Sequence, residues 1–431
     1  MATTSSPSPT ARQPLIKKPL PGPNATRLIE RDRGSMSPGF TRPYPFVMDH
    51  GEGSWVTDVD GNRFLDFTAG IAVTATGHSH PQVVAAITQQ AQRFLHMSGT
   101  DFYYESEIEL AERLGRLVMP ERSPRVFFTN SGAEAIEGAM KLARYASGRT
   151  NFIAFLGAFH GRTMGALSLT ASKAVQRRRF APLLPSVYHV PFPSTARAIT
   201  TDQSLEQLEQ LFTTLAPPES VAAIFVEPIQ GEGGYIVPPD DFLPQLAEVA
   251  HKNGILLVTD EIQSGLGRTG KLLAAEHWGV KPDIVCLAKG IASGLPLGAF
   301  IASAELMNWA PGSHGNTFGG NPLACVAALA TLDLLEDGLI ENAARVGGYL
   351  HAGLLELADM HPGAVTDVRG KGLMQAIEFA EPARAAALVQ RAFENGLLTL
   401  TAGPRAVRFC PPLVLTEDEV DVALEILSDS L

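Results

Sequence analysis

Three short stretches of this 431-residue sequence combine residue types that could do chemistry. In DIVCLAKGIASGLPLGA an apolar, strand-like run ends in Lys289, with Gly290 and Gly294 leaving room for a ligand. Lysines are almost never fully buried unless paired or chemically used. Desolvation lowers an amine's pKa and makes it a usable Schiff-base nucleophile. GILLVTDEIQSG brings two carboxylates, Asp260 and Glu261, to the C-terminal end of another apolar run, where open α/β sheets bind ligands. A buried acid there needs a partner, because an unpaired charge is expensive. Residues 127–135 (FFTNSGAEA) pass from a β-type stretch into a helix, with Ser131 and Gly132 at the junction. That geometry aims backbone N–H groups and a hydroxyl at one point, a site suited to phosphate.

Each stretch alone has a plainer explanation: an N-cap serine, a solvated pair of strand-end acids, a lysine snorkelling to water. Together they match what pyridoxal 5′-phosphate (PLP) demands of a protein, namely a phosphate cradle, a carboxylate for the pyridinium nitrogen and a Schiff-base lysine. Two other patterns carry less. Residues 265–270 (GLGRTG) match GxGxxG, and with Lys271 nearly match a P-loop. The first lacks a strand directly before it and an acid about 20 residues on, and the second has Leu272 in place of the metal-binding hydroxyl. Gly77, His78, Ser79 and His80 suggest a metal, but no ligand-spaced partners accompany them, so both histidines are expected to be structural.

The elements around these residues are legible from periodicity. Between residues 125 and 305 short apolar runs recur (RVFFT, NFIAFLG, SVYHV, AAIFVEP, GILLVTDE, DIVCLAK), separated by helical patterns. Such runs, buried on both faces, predict a parallel sheet in an α/β domain. From Gly51, GEGSWVTDVDGNRFLDF alternates around Asp60 and Gly61 and predicts a β-hairpin. After Asn321 and Pro322 the pattern turns helical and then mixed, which predicts a smaller C-terminal domain. Residues 1–23, with six prolines among Ser and Thr, read as a disordered arm.

Composition bounds the function. Apolar residues make up 45% and charged residues 18%, as in a globular protein. A net charge of -11 gives no footprint for nucleic acid. Cys286, Cys325 and Cys410 are too few and too scattered for a disulfide framework or a zinc ribbon, so the cytoplasm is the expected compartment. No apolar window reaches membrane-spanning length and the N-terminus lacks the apolar core of a signal peptide, so neither a membrane nor secretion is expected.

The motifs TNSGAEA, AFHGRT, VEPIQGEGG, TDEIQSGLGRTG, CLAKGIASGLPLGA, HGNTFGGNPLA and RFCPPL together resemble the class III, fold type I, PLP-dependent aminotransferases, a likeness running from about Gly51 to the C-terminus. The resemblance implies a large domain at 71–322 with a mostly parallel seven-stranded sheet. It implies a smaller α+β domain built from 24–70 and 323–431. It makes Lys289 the lysine that holds PLP and moves the proton, and Asp260 the partner of the pyridinium nitrogen. Ser131, Gly132 and Ala133 become the phosphate cradle, and Phe159 and Ile262 the residues on the two ring faces. Gln263 lies near the phenolic oxygen, and Glu227 belongs to the cofactor site. Thr317 is similar to a phosphate ligand supplied by the neighbouring subunit, which implies a homodimer and leaves a tetramer open. Arg408 resembles the α-carboxylate arginine, Glu232 its switchable cover, and Arg162 the arginine for a substrate's other carboxylate. Ile71 is aliphatic as in the 4-aminobutyrate and acetylornithine branches, where ornithine enzymes usually carry an aromatic.

The expected activity is transfer of the amino group of an ω-amino acid, 4-aminobutyrate foremost, to 2-oxoglutarate by a ping-pong mechanism. Ornithine, acetylornithine or broad ω-amine specificity remain open, as does an amino-acid racemase on the same fold. A P-loop nucleotide-binding protein and a non-catalytic PLP-binding regulator are the rivals from other classes.

Overall fold

The computed structural model describes residues 13–431. Its central sheet has seven strands in the spatial order Pro124–Thr129, Gly298–Ser303, Ile284–Leu287, Leu256–Asp260, Val221–Val226, Asn151–Phe155, Val187–Val190. The last five run parallel, and Gly298–Ser303 is antiparallel to both of its neighbours. The apolar runs fall on these strands because both faces are covered: every residue of Val221–Val226, Asn151–Phe155 and Ile284–Leu287 is buried. Burying one Val, Leu, Ile or Phe fully contributes about 1.5–3 kcal/mol, so this layer dominates stability. On one face helix Gly132–Ser147 packs Ala135, Ala139 and Ala143 against Phe152, Phe225 and Phe300. On the other, helix Phe242–Lys252 sets Leu243 and Leu246 against Ile153, Ile224 and Leu257.

The hairpin forms as expected, with Trp55–Asp58 antiparallel to Arg63–Asp66. Gly61 takes φ +85, and the Asp58 carboxylate accepts the N–H groups of Asp60 and Asn62 at 2.9 and 2.8 Å. Leu397–Leu398 adds to it in parallel, so this four-stranded sheet joins segments from the two ends of the chain. A third sheet, antiparallel throughout, comprises Val365–Lys371, Met374–Phe379, Ala406–Phe409 and Leu400–Ala402. No helix among the described residues is long and apolar enough to cross a membrane.

The disorder expected over residues 1–23 does not extend to residues 13–23. Residues 1–12 lie outside the described residues. Beyond them Leu15 bridges Arg63, the N–H groups of Lys17 and Lys18 both donate to Asn62 Oδ1 at 2.8 Å, and helix Pro23–Ser35 begins at Pro23. The proline count hid this docking, because the donors are met by a buried side chain far along the chain rather than by local pairing.

Helix Ile340–Met360 crosses the turn between the strands Val365–Lys371 and Met374–Phe379 so closely that a Cβ on Gly347 would overlap the backbone of Gly372. Gly372 has φ +52 and its backbone cannot retreat freely. Gly347→Ala is therefore expected to destabilise the fold by about 1–3 kcal/mol, read as a lowered denaturation midpoint at unchanged m-value. An unchanged midpoint would show that the contact yields without cost.

Candidate active site

A cavity of about 430 Å³ lies across the C-terminal ends of five strands of the central sheet. One end is the start of helix Gly132–Ser147. Ser131 is its N-cap in extended conformation (φ -156), and its hydroxyl accepts the Glu134 N–H at 3.2 Å. The Glu134 carboxylate reaches back to the Asn130 N–H at 2.8 Å and its Nδ2 at 2.9 Å. The first N–H groups of a helix have no partner within it, and here Ser131, Gly132 and Ala133 line the cavity. A Cβ on Gly132 would meet Ile262 Cδ1 at 2.8 Å, so a larger residue there would have to displace that side chain.

The sheet separates the two strand-end acids. Asp260, 4% exposed, lines the cavity. Its Oδ1 accepts the Ile262 N–H at 3.0 Å and its Oδ2 lies 2.7 Å from His160 Nδ1. Glu261 points away and acts structurally, accepting from Ser264 Oγ at 2.7 Å and from the N–H groups of Ala274 and Ala275 at 3.0 and 2.8 Å. Burial pushes its pKa up to about 7. Burial alone would lower the pKa of His160, but the hydrogen bond and charge of Asp260 outweigh it and raise it. His160 Nε2 is buried without a partner among the described residues. Glu227, at the end of Val221–Val226, accepts the N–H groups of Phe159 and Gly231 at 2.8 Å each, and burial first, with the Asp260 charge, raises its pKa to about 7.

Lys289 follows strand Ile284–Leu287 at φ +46, an unusual backbone conformation for a side chain of this size. It lines the cavity, and burial lowers its pKa against the opposing influence of Glu232 and Asp260. Phe159 and Ile262 line the same space, as does Gln263, whose Oε1 accepts the Tyr235 hydroxyl at 2.8 Å.

Arg162 also lines the cavity, exposed, with its guanidinium carbon 5.5 Å from the Phe159 ring centroid. Arg408 and Glu232 are not among the residues that line this cavity, but both lie close enough to Lys289 to act on its charge. Arg408, 4% exposed on strand Ala406–Phe409, pairs through Nη1 with Glu232 Oε1 at 2.5 Å, and its Nε is buried without a partner among the described residues. The second Glu232 oxygen faces Lys173 Nζ at 3.6 Å. Burial would raise the pKa of Glu232, but Arg408 first and then Lys173 pull it below the usual carboxylate value.

Ile71 and Thr317 are not brought to this cavity. Ile71 is 42% exposed at φ +69, and Val73 lines the space from that segment instead. Thr317 is exposed on the 313–321 loop. Sequence reasoning missed His160, Tyr235 and the wall at Leu295, Pro296 and Leu297. His160 carried one signal, its place between Phe159 and Gly161 in AFHGRT, but its partner lies 100 residues away. The GLGRTG stretch is structural: Arg268 is buried and donates to the Leu373 carbonyl at 3.1 Å, and a Cβ on Gly270 would meet Ala344 at 2.8 Å. His78 pairs with Asp66 at 2.8 Å, and His80 accepts the Gln82 N–H at the start of helix Pro81–Arg93.

These residues fit PLP. The donor set offers an anion-binding helix terminus at one end, a carboxylate hydrogen-bonded to His160, and a lysine that burial pushes toward its neutral, nucleophilic form. The sequence profile described as aminotransferase class-III matches residues 37–431. The chain is 44% identical over 390 residues to the acetylornithine aminotransferase of Methanopyrus kandleri, covering 90% of this chain and 95% of that protein. It is 37% identical over 439 residues to the alanine/serine racemase of Pyrococcus horikoshii, covering 97% and 92%. Among solved structures, the PLP-bound form of an amine transaminase from an uncultivated Pseudomonas species superposes with a TM-score of 0.85 at 35% identity, over 92% of this chain and 97% of that one.

Proposed function

The chain belongs to the class III aminotransferases, an enzyme family of fold type I that uses PLP, and from that premise we propose that it moves the amino group of an ω-amino acid, 4-aminobutyrate foremost, to 2-oxoglutarate. The observation that carries this reading is the half-satisfied Arg408: one ion pair to Glu232 and a buried Nε with no partner among the described residues. An ω-amino acid brings one carboxylate and needs one arginine, which Arg162 offers. 2-Oxoglutarate brings two and needs both. A buried arginine left bare during the first half-reaction would be costly, so a carboxylate that covers it and then yields suits this substrate pair.

PLP, when bound, supplies an aldehyde that takes up the substrate amine and a ring that withdraws electrons. The chain supplies the rest. Lys289 would hold the cofactor, and once the substrate amine has displaced it, its side chain, whose pKa burial lowers, would take the proton from the carbon bearing the amine and pass it on to the cofactor. Asp260, held in place by His160 and the Ile262 N–H, keeps the ring nitrogen protonated. Ser131, Gly132 and Ala133 hold the phosphate, with Thr317 of a second copy completing the cradle in a homodimer. Phe159 and Ile262 confine the ring, and Gln263 and Glu227 support its oxygen side and the loop carrying Phe159. Ile71 borders the substrate pocket in the same dimer. We propose a cytoplasmic enzyme, a reading supported by three cysteines that are all buried and unpaired.

A second reading, an α-amino-acid racemase, is favoured by the racemase likeness over nearly the whole chain. There Lys289 returns the proton to the carbon it came from. Single-turnover spectra with 4-aminobutyrate, N-acetylornithine, ornithine and alanine decide. Fastest conversion to the pyridoxamine form with one ω-amine is expected. A spectrum unchanged by every ω-amine, with loss of alanine's optical activity, would establish the racemase. Glu232→Ala is expected to weaken use of 4-aminobutyrate while sparing α-amino acids, and the reverse pattern would reject the proposed switch.

A further inference from the structure

Glu232 presents its two carboxylate oxygens to two different cations. Oε1 is 2.5 Å from the buried Arg408 and Oε2 is 3.6 Å from Lys173, whose side chain is 37% exposed. These are the two ion pairs of Glu232 among the described residues. The backbone around Glu232 is fixed. Its carbonyl accepts the Gly403 N–H at 2.8 Å, Arg369 grips the Gly234 carbonyl at 2.9 and 2.6 Å, and Arg197 holds that of Gly233 at 2.7 Å. A carboxylate on so anchored a turn moves by side-chain rotation, and the direction in which it can leave Arg408 without losing all charge compensation is toward Lys173.

We infer that Lys173 is a positioning residue: it receives Glu232 when a second substrate carboxylate takes Arg408, and so sets how readily the site admits dicarboxylates. The inference rests on the switch proposed above. With Glu232 on Arg408 the carboxylate is already neutralised, and Lys173 adds little. With Arg408 engaged elsewhere, Lys173 is the remaining ion-pair partner of Glu232 among the described residues. Lys173 thus stabilises the open arrangement more than the closed one, and the affinity of any ligand that needs the open arrangement scales with its population.

Calorimetric titration of the PLP-loaded enzyme with two unreactive acids tests this. Glutarate carries two carboxylates and needs Arg408 uncovered, whereas pentanoate carries one and needs Arg162 alone. Lys173→Met is expected to weaken glutarate about fivefold, the scale of a partly exposed ion pair, with pentanoate unchanged and Lys173→Arg restoring glutarate. Unchanged glutarate affinity, or equal weakening of both acids, would overturn the inference. In a Glu232→Ala background the Lys173→Met effect should vanish; if it persists there, Lys173 contacts the ligand directly and the inference is wrong. Glu232→Ala alone separates the two levels. It should tighten glutarate by leaving Arg408 uncovered. No tightening would sink the switch and this inference together, while tightening beside an inert Lys173→Met would sink the inference only.

Discussion

Lys289→Ala is expected to yield a folded protein that no longer carries PLP covalently and has lost turnover by at least about 10⁴-fold, the upper range for one positioned acid–base group. Two roles vanish together, the nucleophile that holds the cofactor and the base that moves the substrate proton, so the loss should exceed that of either alone. The fold should survive. Lysine and alanine are equally unsuited to φ +46, so the substitution neither relieves nor adds backbone strain at this position. It also removes a buried amine that is costly to desolvate. Absorbance of the purified variant reports the attachment, and single-turnover rates report the proton transfer. A variant that keeps the bound-cofactor spectrum, or turns over near the original rate, would refute the role.

The sequence disclosed those parts of the site that local pattern encodes. Strands Leu256–Asp260 and Ile284–Leu287 are continuous apolar runs, so the positions of Asp260 and Lys289 at their ends followed from composition and the turn residues after them. The Ser131 cap followed from a strand-to-helix change within six residues. What stayed hidden depends on distance in the chain. Nothing local ties His160 to Asp260, and Glu232 and Arg408, 176 residues apart, were paired only through the family resemblance. The distinction between Asp260 and Glu261 is likewise tertiary. Side-chain alternation turns one toward the cavity, and the other is bound by the N–H groups of Ala274 and Ala275. The N-terminal arm was misjudged for the same reason, since low local order says nothing of Asn62 waiting to accept Lys17 and Lys18. Ile71 and Thr317 differ again: the single chain leaves both outside the cavity lining.

For Asp260→Asn the expected result is a fall in turnover of about 10³-fold, roughly 4 kcal/mol, with PLP still bound through Lys289 and little change in denaturation midpoint. The geometry separates charge from shape. An asparagine oxygen can still accept the Ile262 N–H that Asp260 accepts at 3.0 Å, and its amide can donate to His160 Nδ1, 2.7 Å from the present oxygen, once that nitrogen is unprotonated. His160 can make that change because its Nε2 has no partner to lose among the described residues. The negative charge does not survive. Without it only the charge of Glu227 still opposes the burial of His160, so its pKa should drop, and the ring nitrogen would lose its carboxylate partner. Kinetics and histidine NMR titration on the same variant test both halves. An effect on turnover under about tenfold, or 1.4 kcal/mol, would reject the electronic role of Asp260. A large kinetic loss with the His160 titration unmoved would show that the pair acts through packing, because the hydrogen bond and charge of Asp260 come ahead of Glu227 in opposing burial at that imidazole.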